Sequence, residues 1–540
     1  MRLRAALVPA LLALAGCGSM PPQQAAADLV IANGRVYSGA DEPARNADVV
    51  VRGERIVEVA PGAAARHPGA RVIDATGLVV APGFIDPHTH PDTYIRSADP
   101  GERRNAPWLF QGVTTIAIGN DGYGSFDIAG EQAWFARHGV GTNLVPYVGF
   151  GPVRRQVIGS DDRAPTAEEL QRMRALVARG MCEGGFGLST GLFYVPQRYA
   201  RTGEVAALAR EAALRGGRYD SHLRDEGSYS IGVLAAVDEA IAIGRQAGLP
   251  VHIAHLKALG AQVHGQGPAI VARIQAARAA GQQVSADQYP WLASGTNLGA
   301  ALLPPWSVDG GRARLAERLA DPATAARIRE EMARNLELRG GPSKLLLTGL
   351  GWEWTGKTLE QMAAAWKVPP IDAALRVIAT PRAQDAAPAR APERITSFNM
   401  DAGDLAHIMR QPWVATSSDG SDGHPRQFGS FPEKYRRYVV EQGVIDEAAF
   451  IRRSTGLTAD LLGLRDRGYL RAGAFADVVV FDPARLQAKA TYLEPRQLSE
   501  GVVMVLVNGT PAIEAGQLTD ARAGRVLRHV PPAGSCEALP

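Results

Sequence analysis

The feature that most constrains this chain is a repeated alternation of short apolar runs and amphipathic segments between residues 84 and 419. The runs fall at 84–88, 113–118, 144–150, 186–189, 218–222, 251–255, 284–288 and 413–419. Each is too short for a stable helix, and most, "RYDSH" at 218–222 excepted, have the apolar, partly β-branched character of a strand buried on both faces. Most gaps between them carry helical periodicity, as in "TAEELQRMRALVARG" (166–180) and "VLAAVDEAIAIGRQAG" (233–248). Eight strands separated by helices predict an α/β chain folded as a (β/α)8, TIM-like barrel. The stretch 303–395 breaks the rhythm. It joins an Ala/Arg/Glu-rich helical part to "PRAQDAAPARAPERI" and is expected to be an insertion after the seventh strand.

The flanks have a different texture. Residues 28–82 hold "DLVIANGRVYSG" and "ADVVVRGERIVEV", short alternating runs broken by Asn-Gly and Gly turns. The same texture returns in "ADVVVFDP" and "GVVMVLVNGTPAIEAG", within 468–530. Two distant segments of matching character predict one small β-sandwich domain built from both chain ends around a barrel at 83–467. A length of 540 residues has room for both.

Composition excludes some functions. The net charge of +3 is spread along the chain with no dense basic stripe, so nucleic-acid binding is not expected. Three cysteines, at 17, 182 and 536, exclude a disulfide-rich scaffold. At the start, Arg2 and Arg4 precede an apolar run over 5–15 that is too short to span a bilayer. It is expected to be an export signal. "LAGC" resembles the lipobox of bacterial lipoproteins. This implies a signal peptide at 1–16, a lipid on Cys17, a tether at 17–27 and a bacterial envelope location. Gly18 after the cysteine favours the outer membrane, facing the periplasm.

The barrel expectation gives meaning to "GFIDPHTHPD" (83–92), where His88 and His90 lie two apart at the end of the first run. Residues i and i+2 of a strand share a face, and barrel chemistry sits at strand C-terminal ends. Further donors fall at comparable places: His222 in "RYDSHLRDEG", His255 in "LPVHIAHLKALG", Asp419 in "WVATSSDGSDG" and Asp121 in "GVTTIAIGNDG". Nitrogen and oxygen donors at five strand ends point to a divalent metal. Other readings stay open: a loop role for His90, turn chemistry for Asp121 and Asp419, core packing for His222 and His255. His252 has the opposite parity to His255 and is expected to pack behind it. His264 and His424 lie on loops near the mouth, where either could touch substrate. His67, His138, His407 and His529 are expected to be structural or solvated.

Taken with "GFGLSTGLFYVP", "DQYPWLASGTNL", "HPRQFGSFPEKYRRYV" and "LTADLLGLRDRGYLRAGAFADVVVFDP", these motifs resemble the N-acyl-D-amino-acid deacylases (D-aminoacylases) of the amidohydrolase superfamily. The resemblance runs from about residue 28 to about 510. It implies that His88, His90 and Asp419 hold one metal and that His222 and His255 hold another, most simply one or two zinc ions. Relatives carry a ligating cysteine where this chain has Asp121. A carboxylate is a harder ligand than a thiolate, so metal number and identity are open.

The chemistry implied is hydrolysis of a linear amide by metal-activated water, with Asp419 as general base and then general acid. The substrate implied is an N-acyl-D-amino acid; the D preference comes from the resemblance alone. Lys257 and Tyr289 match positions that hold the substrate carboxylate. Arg224 and Arg426 are further candidates, with rim salt bridges as the alternative. Two rival functions share these residues: a dipeptidase or cyclic amide hydrolase of the same superfamily, and a lipid-anchored binding protein whose metal site has decayed.

Overall fold

A computed structural model describes residues 27–381 and 391–537. The signal segment, Cys17, nearly all of the tether and part of the Pro/Ala-rich stretch lie outside the described residues.

All eight apolar runs become strands, and they pair in parallel in chain order. Phe84–Asp86, Val113–Ile118 and Asn143–Pro146 form one sheet. The chain passes through Tyr147 directly to Val148–Gly149, which opens the second sheet. That sheet continues through Gly187–Gly191, Arg218–His222, Val251–Ile253, Val284–Gln288 and Val414–Thr416. The eighth strand reaches back to the first: Asp419 N donates to His88 O at 3.0 Å and His90 N donates to Gly420 O at 2.8 Å.

Three strands are shorter than the apolar runs suggest. Ladder pairing stops at Asp86, Ile253 and Thr416, before His88, His255 and Asp419. His255 and Asp419 then take left-handed backbone, with φ of 34° and 47°. Only His222 closes its strand in regular geometry.

The chain ends meet in one nine-stranded sheet. Val478–Phe481 pairs antiparallel with Val79–Pro82, which pairs in parallel with Leu29–Val36. Alternation along these strands feeds two cores. Val79, Ala81, Val479 and Phe481 pack with Phe84 and Val113 of the parallel strands and with Phe450 of the helix Glu447–Ser454. Val80, Val478 and Val480 face the other way, onto Ile31, Val49 and Leu506. A period of two thus docks the sheet on the ring and gives it a core of its own.

Between the seventh and eighth strands lies a separate subdomain with its own apolar cluster, including Leu298, Ile328, Met332, Leu345 and Leu359. Its helices include Arg312–Ala320 and Pro322–Leu338. They pack with an antiparallel sheet in which Arg394–Ser397 lies between Ser294–Asn297 and Leu345–Leu347. That small sheet carries no strong alternation in the sequence and was not expected.

The C-terminal segment straps the opposite end of the ring. Leu144 N donates to Arg525 O at 2.9 Å and His529 N donates to Gly184 O at 3.0 Å. Cys536 then closes a disulfide with Cys182, 354 positions earlier in the chain. Long-range cross-links limit the unfolded chain most, and loss of one costs about 2–5 kcal/mol. Cys536→Ser is therefore expected to lower stability to denaturant by that order and to expose the strap to limited proteolysis. An unchanged unfolding midpoint and an uncut strap would show that the strap is held without the disulfide.

Candidate metal centre

The stretch that holds His88 and His90 is clamped before it reaches the site. Asp86, wholly buried, accepts hydrogen bonds from Ser418 N at 3.0 Å and Trp108 Nε1 at 3.0 Å. It thereby ties the end of the first strand to the end of the eighth. Asp121 is presented by the turn Gly119-Asn120-Asp121-Gly122, in which Gly119, Asp121 and Gly122 have φ of 83°, 56° and 69°. A Cβ at Gly122 would fall 2.0 Å from Gln197 Oε1. The same Gln197 donates through Nε2 to Asp121 O at 2.9 Å. Glycine on each side and a left-handed aspartate between them turn the carboxylate inward. Such backbone costs about 1–3 kcal/mol per residue and persists at functional sites because the surroundings enforce it.

Asp121 stands at the centre of the four histidines. Its Oδ1 lies 3.3 Å from His88 Nε2 and 3.3 Å from His255 Nε2. Its Oδ2 lies 3.3 Å from His90 Nε2 and 3.6 Å from His222 Nδ1. Asp419 Oδ1 lies 3.4 Å from His90 Nε2 and 3.7 Å from His88 Nε2. Three overlapping groups of donors have ligand atoms within 4.8 Å of one another: His88-His90-Asp121, His88-His255-Asp419 and Asp121-His222-His255. All six sequence-predicted donors meet in one place.

These residues fit a divalent cation. Both ring nitrogens of His88 and Oδ1 of Asp121 are buried without any hydrogen-bond partner. Polar atoms so buried are costly unless something binds them. Asp121 lies within 3.6 Å of histidines from both predicted metal positions.

The electrostatics keep the carboxylates ionised. Burial alone would raise the Asp419 carboxyl, but Arg426, whose Nη1 sits 2.7 Å from Oδ2, and the neighbouring histidines hold it well below the usual range. Burial is likewise overcome at Asp121 by His88 and His222, leaving its carboxyl well below the usual range.

A further carboxylate supports the histidines and was not singled out from the sequence. Glu226 Oε1 lies 3.0 Å from His255 Nδ1 and accepts from Lys257 Nζ at 2.6 Å. A carboxylate behind a ligating histidine fixes its tautomer and ring direction. The motif "SHLRDEG" contained the signal, since Glu226 is four residues past His222. Its neighbour Asp225 instead caps its own loop by accepting from Gly227 N and Gly232 N. His252 sits behind the site as expected, with Nε2 2.8 Å from Asp287 Oδ2. Asp287 in turn accepts from His255 N at 3.0 Å.

The substrate candidates divide. Lys257, Tyr289 and Arg426 line a cavity of about 490 Å³ that opens onto the donors. Lys257 and Arg426 both flank the Tyr289 ring, at 5.5 and 5.1 Å from its centroid. Arg224 does not belong with them. It is held by Glu239 at 2.8 Å and donates to Arg198 O and Ala200 O, so it is the rim salt bridge its alternative described. His424 is buried against Ala293 O, and His264 lies against Asn399 O; neither lines the cavity. His67, His138 and His529 pair with Glu58, Trp134 O and Arg215 O, away from the site.

Parallel strands whose C-terminal ends gather four histidines and two aspartates beside one cavity define a class, the metal-dependent amidohydrolases. No family model matches the chain. It is 32% identical, over 93% of its length and 97% of the relative's, to the D-aminoacylase of Alcaligenes xylosoxydans xylosoxydans. Among solved structures, a D-aminoacylase described as defining a novel subset of amidohydrolases superposes with a TM-score of 0.77 at 31% identity. That match covers 93% of this chain and 100% of the other. An N-acyl-D-glutamate deacylase from Bordetella bronchiseptica, complexed with zinc and a phosphonate inhibitor, gives 0.78 at 30% identity with the same coverage. The chain belongs to the D-aminoacylase family of N-acyl-D-amino-acid deacylases.

Proposed function

We propose that this protein hydrolyses N-acyl-D-amino acids to the free D-amino acid and a carboxylic acid, using a divalent metal. The observation that carries the reading is the convergence of His88, His90, Asp121, His222, His255 and Asp419 on one another, all but the fully buried His88 lining one cavity. The 32% identity to a D-aminoacylase across 93% of the chain supports it.

A divalent cation held by these donors polarises an amide carbonyl and acidifies water toward a pKa of about 7. The rest is the work of the chain. Asp419, ionised and aimed by Arg426, accepts the proton of the attacking water and delivers it to the departing nitrogen. The new C–O bond forms first, giving a tetrahedral carbon; the C–N bond then breaks as the nitrogen takes the proton from Asp419, and the amine leaves neutral. Glu226 and Asp287 hold His255 in place from its ring and backbone sides. Lys257, Tyr289 and Arg426 face the substrate carboxylate. Tyr289 is suited to this because its hydroxyl has only a weak contact to Met400 Sδ, at 3.5 Å.

The test is a substrate panel with the metal-loaded protein. N-acetyl-D-methionine is expected to release free amine at least about tenfold faster than its L isomer. Chelation should abolish release and added zinc restore it. Release only from dipeptides or cyclic amides would sink the reading in favour of the rival hydrolases.

Four finer points belong to the same proposal. We read the parallel ring as a closed (β/α)8 barrel at 83–467 with an inserted domain at about 303–395, which the return pairing of His88 and Asp419 supports. The sheet from both chain ends is read as the β-sandwich domain of 28–82 and 468–530. Zinc is proposed as the native ion, which the histidine-rich donor set favours. Export is supported by the Cys182–Cys536 disulfide, a bond typical of oxidising compartments, while lipid attachment at Cys17 is proposed from the "LAGC" motif alone.

A further inference from the structure

The cations that line the cavity are not alike. Lys257 is neutralised by Glu226 at 2.6 Å, and Arg426 by Asp419 at 2.7 Å. Arg339 lines the same cavity, is only 1% exposed, and forms no ion pair among the described residues. Its Nε and Nη1 are buried without a hydrogen-bond partner. Its one described side-chain contact is the face of Tyr229, 5.1 Å from the ring centroid. The Tyr229 hydroxyl is itself buried and unpartnered.

A guanidinium buried without a counter-ion is among the least favourable arrangements in a protein interior. The backbone does not require it here, because Arg339 follows the inserted helix Pro322–Leu338 as its C-cap residue and serves that role through its N–H, which any residue but proline supplies. A planar fork of donors beside a free phenol is built for an oxygen anion, and a carboxylate fits it bidentately. Lys257, Tyr289 and Arg426 already face the substrate's α-carboxylate in the proposed function, on which this inference rests.

We propose that Arg339, with the Tyr229 hydroxyl, forms a subsite for a second carboxylate on the substrate, so that the preferred substrates are dicarboxylic. That carboxylate sits either on the amino-acid side chain, as in an N-acyl derivative of an acidic D-amino acid, or on the acyl group, as in an N-succinyl derivative. The shared chemistry is the carboxylate; the arms of the experiment separate the two positions.

The experiment compares kcat/KM for N-acetyl-D-glutamate, N-succinyl-D-methionine and N-acetyl-D-methionine in the wild type, Arg339→Met and Arg339→Lys. One dicarboxylic substrate is expected to exceed N-acetyl-D-methionine in the wild type. Arg339→Met should collapse that ratio by about 10- to 100-fold, the size of a lost charge-assisted pair, and Arg339→Lys should restore part of it. Whichever dicarboxylate carries the preference identifies the position.

Melting of the ligand-free protein separates this from a structural role. Removing an uncompensated buried charge should leave the Arg339→Met melting temperature equal or higher, whereas a structural arginine would lower it. A ratio unchanged by the substitution, or an equal loss on all three substrates, overturns the subsite. Calorimetric binding of N-acetyl-D-glutamate against N-acetyl-D-methionine reads the subsite without turnover. A binding preference lost in Arg339→Met, with no release from any N-acyl-D-amino acid, keeps the subsite and rejects the deacylase reading. If Arg339→Met fails to fold, Tyr229→Phe, which removes only the hydroxyl, must weaken the same ratio for the subsite to stand.

Discussion

Asp419→Asn is expected to lower kcat by about 10³-fold or more while leaving the fold and the metal content close to those of the wild type. Amide and carboxylate have the same shape, and the amide oxygen still accepts from Arg426, which lies 2.7 Å from Oδ2 in the wild type. What the amide cannot do is take a proton from water. In the wild type the carboxyl is held well below the usual range by Arg426 and the histidines, so the base is ready across the whole physiological pH range. The measurement is kcat at saturating N-acyl-D-amino acid, with metal content and a melting curve taken on the same sample. Activity near that of the wild type would remove Asp419 from the chemistry.

The second large effect is expected at Asp121. Asp121→Ala takes away both oxygens that lie 3.3–3.6 Å from the four histidine nitrogens. Metal affinity is expected to fall by more than about 100-fold, beyond the 10- to 100-fold typical of losing a residue that only supports a ligand. Metal bound after dialysis, read by elemental analysis, should drop below that of the wild type, and activity should drop with it. Asp121→Cys is the informative partner. A thiolate should restore metal binding with a softer preference, favouring zinc over manganese more than the wild type does. If Asp121→Ala keeps its full metal content, Asp121 does not bridge and the turn itself is its role.

These two residues show how unevenly the site could be read from the chain. Asp419 follows an apolar run in "WVATSSDG", and its place at a strand end was visible as a pattern. Asp121 sits in "GNDG", which is ordinary turn chemistry until four histidines from three other segments are brought around it. Glu226 was not singled out, because nothing local in "SHLRDEG" separates it from Asp225. Only the approach of His255 and Lys257, some thirty residues later in the chain, distinguishes them. Arg224 was overvalued for the converse reason: it sits in the right motif, but Glu239 on the following helix takes its guanidinium.

Arg339 marks the limit of this kind of reading. Nothing in "LELRGGPS" distinguishes it from the many arginines of the inserted helices. Its importance lies wholly in what it lacks, a carboxylate within reach in a buried place, and that is a property of packing rather than of composition.

The sequence by itself determined the order of strands and helices, the pairing of the two chain ends in one β region, and the histidines and Asp419 as candidate ligands. It could do so because strand periodicity and strand ends are local properties of a few adjacent residues. Tertiary structure alone decided that Asp121 lies between all four histidines, that Glu226 supports His255, that Cys182 reaches Cys536, and that Arg339 meets no counter-charge. Each of those depends on contacts between residues far apart in the chain, where distance and burial, rather than residue type, set the energy.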